Sequence, residues 1–307
     1  IIGALIKARN QGADLVLFSE MVLCAYPPKD LLLFPHFVKT LEDSLEKIIE
    51  KSTKLTVVLG TIRKNPQAFG HKLFNTAAVI QDQNLLGFQD KTLLPTYDVF
   101  DEARYFEPAL DSRVWELHGK RIYISICEDL WHEQAQENLY CYQEQPLFNA
   151  RQFAPELILN LAASPFNKKK EDARLSVYSK AASFLNCPLA SCNQVGANDE
   201  LIYDGCSLYM NAKGDVLNVA RQFEEDFLLV DTEKEHKLLK KVPCKEETIY
   251  KALVLGVRDY FRKLGFQKAC IGLSGGVDSA LVACITAEAL SPSNLLTVSM
   301  PSRYSSK

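Results

Sequence analysis

Residues 13–18 read Ala-Asp-Leu-Val-Leu-Phe, a short apolar run that stops at Ser19-Glu20. A run of that length predicts a buried strand, and the amphipathic residues 1–11 before it predict a helix. The alternation then repeats along the chain. After a loop containing Tyr26-Pro27-Pro28, a helix is expected at about 39–51 and a strand at 55–60. Segments 75–81 and 85–90 form a hairpin pattern with polar residues between them. In 121–127 the apolar Ile122, Ile124 and Ile126 alternate with Tyr123 and Ser125, a strand signature. A helix at 146–153, a strand at 156–161, a helix at 171–185 and a strand at 188–192 follow. Short strands at 205–211, 216–220 and 227–230 close this part, which has the pattern of an α/β fold.

The composition then shifts. Residues 231–247 are dominated by Lys and Glu, with Pro243 among them, and read as a solvated linker. From Thr248 the apolar residues Ile249, Ala252, Leu253, Val257, Tyr260, Phe261 and Leu264 fall at helical spacing, and Gly265 stops the helix. A strand expected to be buried, 269–273, runs into Ser274-Gly275-Gly276, with a helix-forming run at 280–290 and a further strand at 295–299. Strand, glycine turn and helix N-terminus together present free N–H groups and the positive end of a dipole to an anion. A phosphate chain is the natural ligand. No Gly-Lys-[Ser/Thr] follows at Walker spacing, and no G-x-G-x-x-G is present.

Charge and cysteine usage narrow the class. The net charge of -3 argues against nucleic acid or a membrane surface as partner. No apolar run approaches the roughly 20 residues needed to span a bilayer. Nine scattered cysteines form no C-x-x-C pair, so neither a disulfide framework nor a zinc site is indicated, and a reduced, cytoplasmic protein is expected.

Three expected strand ends carry reactive groups. Glu20 ends Leu-Val-Leu-Phe-Ser-Glu, Lys91 follows Gln89-Asp90, and Cys127 ends Ile-Ser-Ile-Cys. Ligands of open α/β sheets gather at such ends. A carboxylate can take the thiol proton, and an ammonium favours the thiolate and an oxyanion. Singly, each has an ordinary explanation: a buried small thiol, a surface acid, a solvated lysine.

The surrounding motifs carry a resemblance. Glu20 with Tyr26-Pro27-Pro28-Lys29-Asp30-Leu31, Lys91-Thr92-Leu93-Leu94-Pro95 with Tyr97 and Glu102, and Cys127-Glu128-Asp129-Leu130-Trp131 together resemble the nitrilase superfamily. That likeness covers about residues 1–232 and implies an αββα sandwich. It makes Glu20 the general base, Lys91 the oxyanion-stabilising cation and Cys127 the nucleophile. It also gives the Glu128 N–H an oxyanion-hole role and makes Glu102 a carboxylate that orders the site. Gly272-Leu273-Ser274-Gly275-Gly276-Val277-Asp278-Ser279 resembles the pyrophosphate loop of N-type ATP pyrophosphatases, which implies the start of a doubly wound parallel-sheet domain at 248–307 after a linker at 233–247. Asp278 has the alternative of capping the following helix.

Both likenesses in this order resemble the family of glutamine-dependent NAD⁺ synthetases. Ala163-Ser164-Pro165-Phe166 and Met300-Pro301-Ser302-Arg303-Tyr304 fit that family too. The resemblance implies a ligase with three substrates: L-glutamine, ATP with Mg²⁺, and nicotinic acid adenine dinucleotide. It implies no tightly bound organic cofactor, and an assembly of identical chains. Tyr97, Ser164 and Lys170 would hold the α-carbon end of glutamine, although Lys168-Lys169-Lys170 equally fits a solvated charge run. The rival readings are a stand-alone amidase or carbamoylase with a non-catalytic appendage, and a binding module that has kept the fold. The chain opens on Ile1 inside an expected helix, without the family's first strand, so a piece of a longer protein with an empty position in its central sheet is expected.

Overall fold

The computed structural model describes residues 1–111, 113–131, 142–168, 170–234 and 245–301. Helix α1 (Ile2–Asn10), β1 (Leu15–Leu17), α2 (Pro35–Lys51), β2 (Thr56–Lys64), β3 (Leu73–Gln81) and β4 (Asn84–Asp90) come first. They build a sheet of order β1-β2-β3-β4, parallel at β1–β2 and antiparallel beyond. A second group follows: β5 (Val114–Leu117), β6 (Lys120–Ile126), α3 (Pro146–Arg151), β7 (Leu157–Ala162), α4 (Lys170–Leu185) and β8 (Leu189–Asn193). Next come the hairpin β9 (Val195–Asn198) and β10 (Leu201–Asp204), then β11 (Leu208–Met210) and β12 (Val216–Val219). The second sheet has the order β12-β11-β8-β7-β6-β5, with β6, β7 and β8 parallel at its centre.

Alternation along the strands sorts the side chains into layers. In β2, Val57 and Leu59 face α1 and α2, meeting Leu5, Ala8, Leu45 and Ile48. Val58, one step out of phase, points inward with Ala77 and Val79 against Ile122, Ile124, Ile126, Leu159 and Leu161 of the second sheet. The outer face of that sheet, through Tyr123 and Ile158, packs on Val177, Tyr178 and Ala181 of α4. Helices therefore cover both outer faces of two stacked sheets, the αββα sandwich of the nitrilase likeness. Strand β7 is buried at every position, as expected of a parallel strand covered on both faces. The β3–β4 hairpin turns through Asp82 and Gln83, both at positive φ (44° and 65°), in the manner of a two-residue primed turn.

After this, α5 (Lys245–Leu264), β13 (Ala269–Leu273), α6 (Val277–Leu290) and β14 (Leu295–Ser299) form a strand–helix–strand unit with β13 and β14 parallel. This is the start of the second α/β domain. Helix α5 stops at Gly265, whose φ is +75°.

Four expectations need correcting. The hairpin β9–β10 was not anticipated, because Gly196 and Asn198 break the apolar alternation. Residues 227–230 form no strand: Phe227 and Val230 pack by their side chains against the two cores without a ladder partner. Strand β13 is half-exposed rather than buried, since its ladder has only β14 as partner. The four described strands of the first sheet are contiguous, with β1 at an edge. Helix α5 begins at Lys245, inside the expected linker, whose residues 235–244 lie outside the described residues, as do 302–304 of the Met300 motif.

Leu253, Tyr260 and Leu264 are exposed, whereas Ala252 and Leu255 pack with Phe223, Phe166, Val195 and Ile202. Asp259 on the same face accepts from the Ala197 N–H at 2.8 Å, which seats α5 on the β9–β10 hairpin.

Candidate functional site

Strand β1 delivers Glu20 to the inter-sheet edge. The Phe18 N–H donates to the Val58 carbonyl at 2.9 Å and the Gly60 N–H to the Ser19 carbonyl at 3.2 Å, so the chain hugs β2 beyond the strand's end. A Cβ at Gly60 would lie 2.3 Å from the Met21 nitrogen and 2.5 Å from the Ser19 oxygen. Glycine is needed there for the Glu20 turn to sit flush.

Lys91 is the first residue after β4, and it is 1% exposed. Its Nζ donates to Glu20 Oε1 and to Glu102 Oε1, each at 2.7 Å. Asn75 Nδ2 bridges the same carboxylates, at 2.7 Å to Glu20 Oε1 and 3.2 Å to Glu102 Oε2. The Tyr26 hydroxyl donates to Glu102 Oε1 at 2.9 Å, and the Ala163 N–H to Glu20 Oε2 at 3.1 Å. Burial favours the neutral amine of Lys91, but the Glu102 and Glu20 carboxylates outweigh it and hold the ammonium. Burial lifts the Glu102 carboxyl to about 7, against the pull of Lys91 and with a push from Glu20. A cation and two acids taken out of water cost desolvation, so the cluster is poor evidence of stability and better evidence of function.

Cys127 follows β6 at φ 44° and opens a 3₁₀ turn, Cys127–Leu130. A non-glycine residue held in that region costs backbone energy and is frequent where a side chain must be presented. Asp129 holds the turn: its Oδ2 accepts from the Ile126 N–H at 3.1 Å. Its Oδ1 accepts from Thr92 and Leu93 N–H at 3.1 and 2.9 Å, tying the elbow to the segment after Lys91. Burial pushes the Cys127 thiol above its ordinary range, the Glu20 charge adds to this, and Lys91 and the Ala163 N–H oppose it. A thiol so shifted would need a base to act as a nucleophile.

The expected glutamine-holding residues fall around this centre. Tyr97 donates its hydroxyl to Glu128 Oε1 at 2.8 Å, joined there by Tyr142 at 3.1 Å. Burial raises the Glu128 carboxyl, while Lys91 and these hydroxyls lower it. The Ser164 N–H donates to Asn193 Oδ1 at 2.9 Å, and the buried Ser164 hydroxyl has no partner among the described residues. Lys170 lies half-buried with its Nζ 4.0 Å from the Trp131 ring centroid, whereas Lys168 is exposed. A cavity of about 280 Å³ opens behind Glu102, lined by Tyr26, Pro28, Val99, Arg104 and Tyr105. Cys127 does not line it, so it is separate from that thiol.

Sequence reasoning gave Asn75, Asp129 and the Ala163 N–H no part in this network. Asp129 had a local signal, an acid in the first turn after a strand. Asn75 and Ala163 had none, because their partners lie far along the chain.

The second expected site is exposed. Gly272 and Leu273 end β13, Ser274, Gly275 and Gly276 form the turn, and Val277, Asp278 and Ser279 open α6. Gly275 has φ +87°. Ser279 Oγ donates to the Gly276 carbonyl at 3.0 Å, and the Ser274 N–H donates to Ser279 Oγ at 3.3 Å. Gly276 is the helix cap and no side chain caps it, so Asp278 does not take the capping role. The arrangement suits an anion.

A model of the carbon–nitrogen hydrolase family matches residues 2–236, and one of NAD synthase matches residues 249–307. The glutamine-dependent NAD(+) synthetase of Synechocystis sp. is 42% identical over 316 residues, covering 100% of this chain and 57% of that protein. The structure of glutamine-dependent NAD+ synthetase from Acinetobacter baumannii in complex with ADP superposes with a TM-score of 0.85 at 32% identity, covering 100% of this chain and 56% of that one. An amidase from Nesterenkonia sp. shares the fold, with a TM-score of 0.59 at 19% identity over 72% of this chain and 78% of that one. The chain spans a little over half the length of the synthetases it matches.

Proposed function

The chain belongs to the carbon–nitrogen hydrolase family, and from that premise we propose that it serves a glutamine-hydrolysing NAD⁺ synthase. Residues 1–232 are its amide-hydrolysing unit, 233–247 its linker and 248–307 the start of its nucleotide-binding unit. The observation that carries this reading is one buried ammonium, Lys91, bonded to both Glu20 and Glu102 beside a buried thiol.

In the first reaction Glu20 accepts the Cys127 proton as the sulfur attacks the side-chain amide carbon of glutamine. Lys91 and the Glu128 N–H stabilise the oxyanion. The proton passes from Glu20 to the departing nitrogen, the C–N bond breaks, and ammonia leaves a γ-glutamyl thioester. Water then cleaves the thioester to glutamate. Tyr97, Ser164 and Lys170 hold the α-carbon end of the substrate, while Glu102 keeps Lys91 in place.

In the second reaction the carboxylate of nicotinic acid adenine dinucleotide attacks the α-phosphorus of ATP and pyrophosphate leaves. Ammonia then displaces AMP to give NAD⁺. Gly272, Leu273, Ser274, Gly275, Gly276, Val277, Asp278 and Ser279 cradle the phosphates. Mg²⁺ would neutralise charge on those phosphates; Asp278, whose carboxylate makes no cap bond, is the acid at the loop. The exposed Leu31, Leu33 and Phe34 support an assembly of identical chains. The thiols of Cys24 and Cys187, which form no disulfide, support a cytoplasmic setting.

The test compares wild type with Cys127→Ala in the whole protein, assaying NAD⁺ formation from glutamine and from ammonia. The variant is expected to lose synthesis from glutamine and keep synthesis from ammonia. Retention of both would remove Cys127 as nucleophile, and no NAD⁺ from either nitrogen source would remove the named product.

A further inference from the structure

Three tyrosine hydroxyls near the centre have carboxylate partners: Tyr26 on Glu102, and Tyr97 and Tyr142 on Glu128. A fourth tyrosine does not. Tyr203 on β10 is 0% exposed, and its buried hydroxyl has no hydrogen-bond partner among the described residues. A buried hydroxyl left unpaired costs free energy, and where a fold keeps one it calls for a partner that comes and goes.

The surroundings place the ring. The Tyr203 ring meets the Tyr26 ring edge-on, at 6.4 Å and 86°. Met21, next to Glu20 in the chain, and Ala163, whose N–H binds Glu20, share its packing cluster. Its backbone bridges to Pro165, and the Phe166 N–H donates to the Ile202 carbonyl at 2.7 Å. The ring is thereby fixed behind the turn that carries Ser164. Asp204 anchors the strand end through Arg174, at 2.8 and 2.7 Å. Burial first, and then the charges of Glu20 and Cys127, keep the phenol protonated and hence a donor.

Glu20 is also incompletely used. Its Oε1 accepts from both Lys91 and Asn75, but among the described residues its Oε2 accepts only from the Ala163 N–H. A carboxylate offers about four acceptor positions, so one remains open on Oε2.

We propose that Tyr203 is a further catalytic residue, acting on the second half of the amide hydrolysis: its hydroxyl and Glu20 Oε2 hold between them the water that cleaves the thioester. The proposal rests on the amide-hydrolysis reading above. As the water oxygen bonds to the acyl carbon, one of its protons passes to Glu20. The C–S bond breaks with its electron pair on the Cys127 sulfur, which takes that proton back from Glu20. Tyr203 donates a hydrogen bond to the water oxygen and neither gains nor loses a proton. Formation of the thioester does not need it.

The test is Tyr203→Phe in the whole protein, mixed with glutamine and quenched in acid. Ammonia release and the mass of the Cys127 peptide are followed in time. Removing a hydroxyl that bonds to no atom of the described residues leaves the fold intact, and iodoacetamide labelling of Cys127 at the wild-type rate checks this. The first turnover of ammonia is expected at the wild-type rate, followed by a steady state about 10–100-fold slower, the loss of one hydrogen bond to a reacting group. KM falls in proportion and the thioester becomes the dominant species. Hydroxylamine, a stronger nucleophile than water, restores turnover as the hydroxamate. A kcat within twofold of wild type would overturn the proposal, as would a first turnover slowed as much as the steady state. Absence of both ammonia and thioester in the wild type would remove the amide-hydrolysis reading and this proposal with it.

Discussion

Around Lys91 the bonds span from 11 positions, to Glu102, to 71, to Glu20, and Ala163 lies 143 from the Glu20 it binds. In the loop from Gly272 to Ser279 the bonds span only two to five positions. The first centre exists only when two sheets have stacked, and its charges lie in a dry interior. The second is made by a strand, two glycines and a helix end. A buried, non-local centre should therefore fail when the scaffold is disturbed, whereas the loop should respond only to changes within itself.

The largest effect is expected from Lys91→Met. It leaves Glu20 and Glu102 facing each other without their cation, which costs about 3–5 kcal/mol for a broken buried pair. Glutamine hydrolysis should fall by roughly 10³-fold or more through loss of the oxyanion cation. Denaturant titration and ammonia release measure the two losses, while ammonia-supported synthesis in the folded fraction should persist.

Gly60→Ala comes next. Its Cβ would stand 2.3 Å from the Met21 backbone, so the Glu20 turn must move. About 1–3 kcal/mol of destabilisation is expected from overpacking, with kcat for glutamine falling more than KM changes. Wild-type kcat would show that the turn can shift without carrying Glu20 away.

Gly275→Ala probes the other side of the contrast. At φ +87° a Cβ costs roughly 1–2 kcal/mol locally. The KM for ATP should rise several-fold while glutamine hydrolysis stays at the wild-type rate. A loss of glutamine hydrolysis would mean that the two centres are not independently built.

The smallest effect is on pH dependence. Burial raises Glu102 to about 7 and Asp129 to about 6. Between the ordinary carboxylate range and those values the folded chain holds protons that the unfolded chain has released. These acids therefore add stability at the acidic end, and it is lost as pH rises through 6 to 7. Denaturation midpoints between about pH 4.5 and 7 should fall less steeply in Glu102→Gln than in wild type.

The same contrast explains what could be read from the chain. Ser274-Gly275-Gly276 between a strand and a helix is contiguous, so its geometry was legible, but the exposure of β13 depends on how many strands flank it. Glu20, Lys91 and Cys127 each follow a strand end, β1, β4 and β6, and local pattern found all three. Their convergence came only from the family likeness, because no local rule says which strand ends meet. Asn75 reads as any polar residue in a strand, and its bridge between two carboxylates exists only in three dimensions. The hairpin bearing Tyr203 escaped because its turn, Asp199 at φ 51° with Glu200, sits between strands interrupted by Gly196 and Asn198.

The most direct measurement is the alkylation rate of Cys127 by iodoacetamide at neutral pH, wild type beside Glu20→Gln. The Glu20 charge raises the thiol pKa, so if charge alone set the reactivity the variant would react faster. If Glu20 is the base that takes the thiol proton, the variant reacts about 10²-fold slower or more. The slower rate is the predicted result; an equal or faster one would contradict the Glu20–Lys91–Cys127 centre as described.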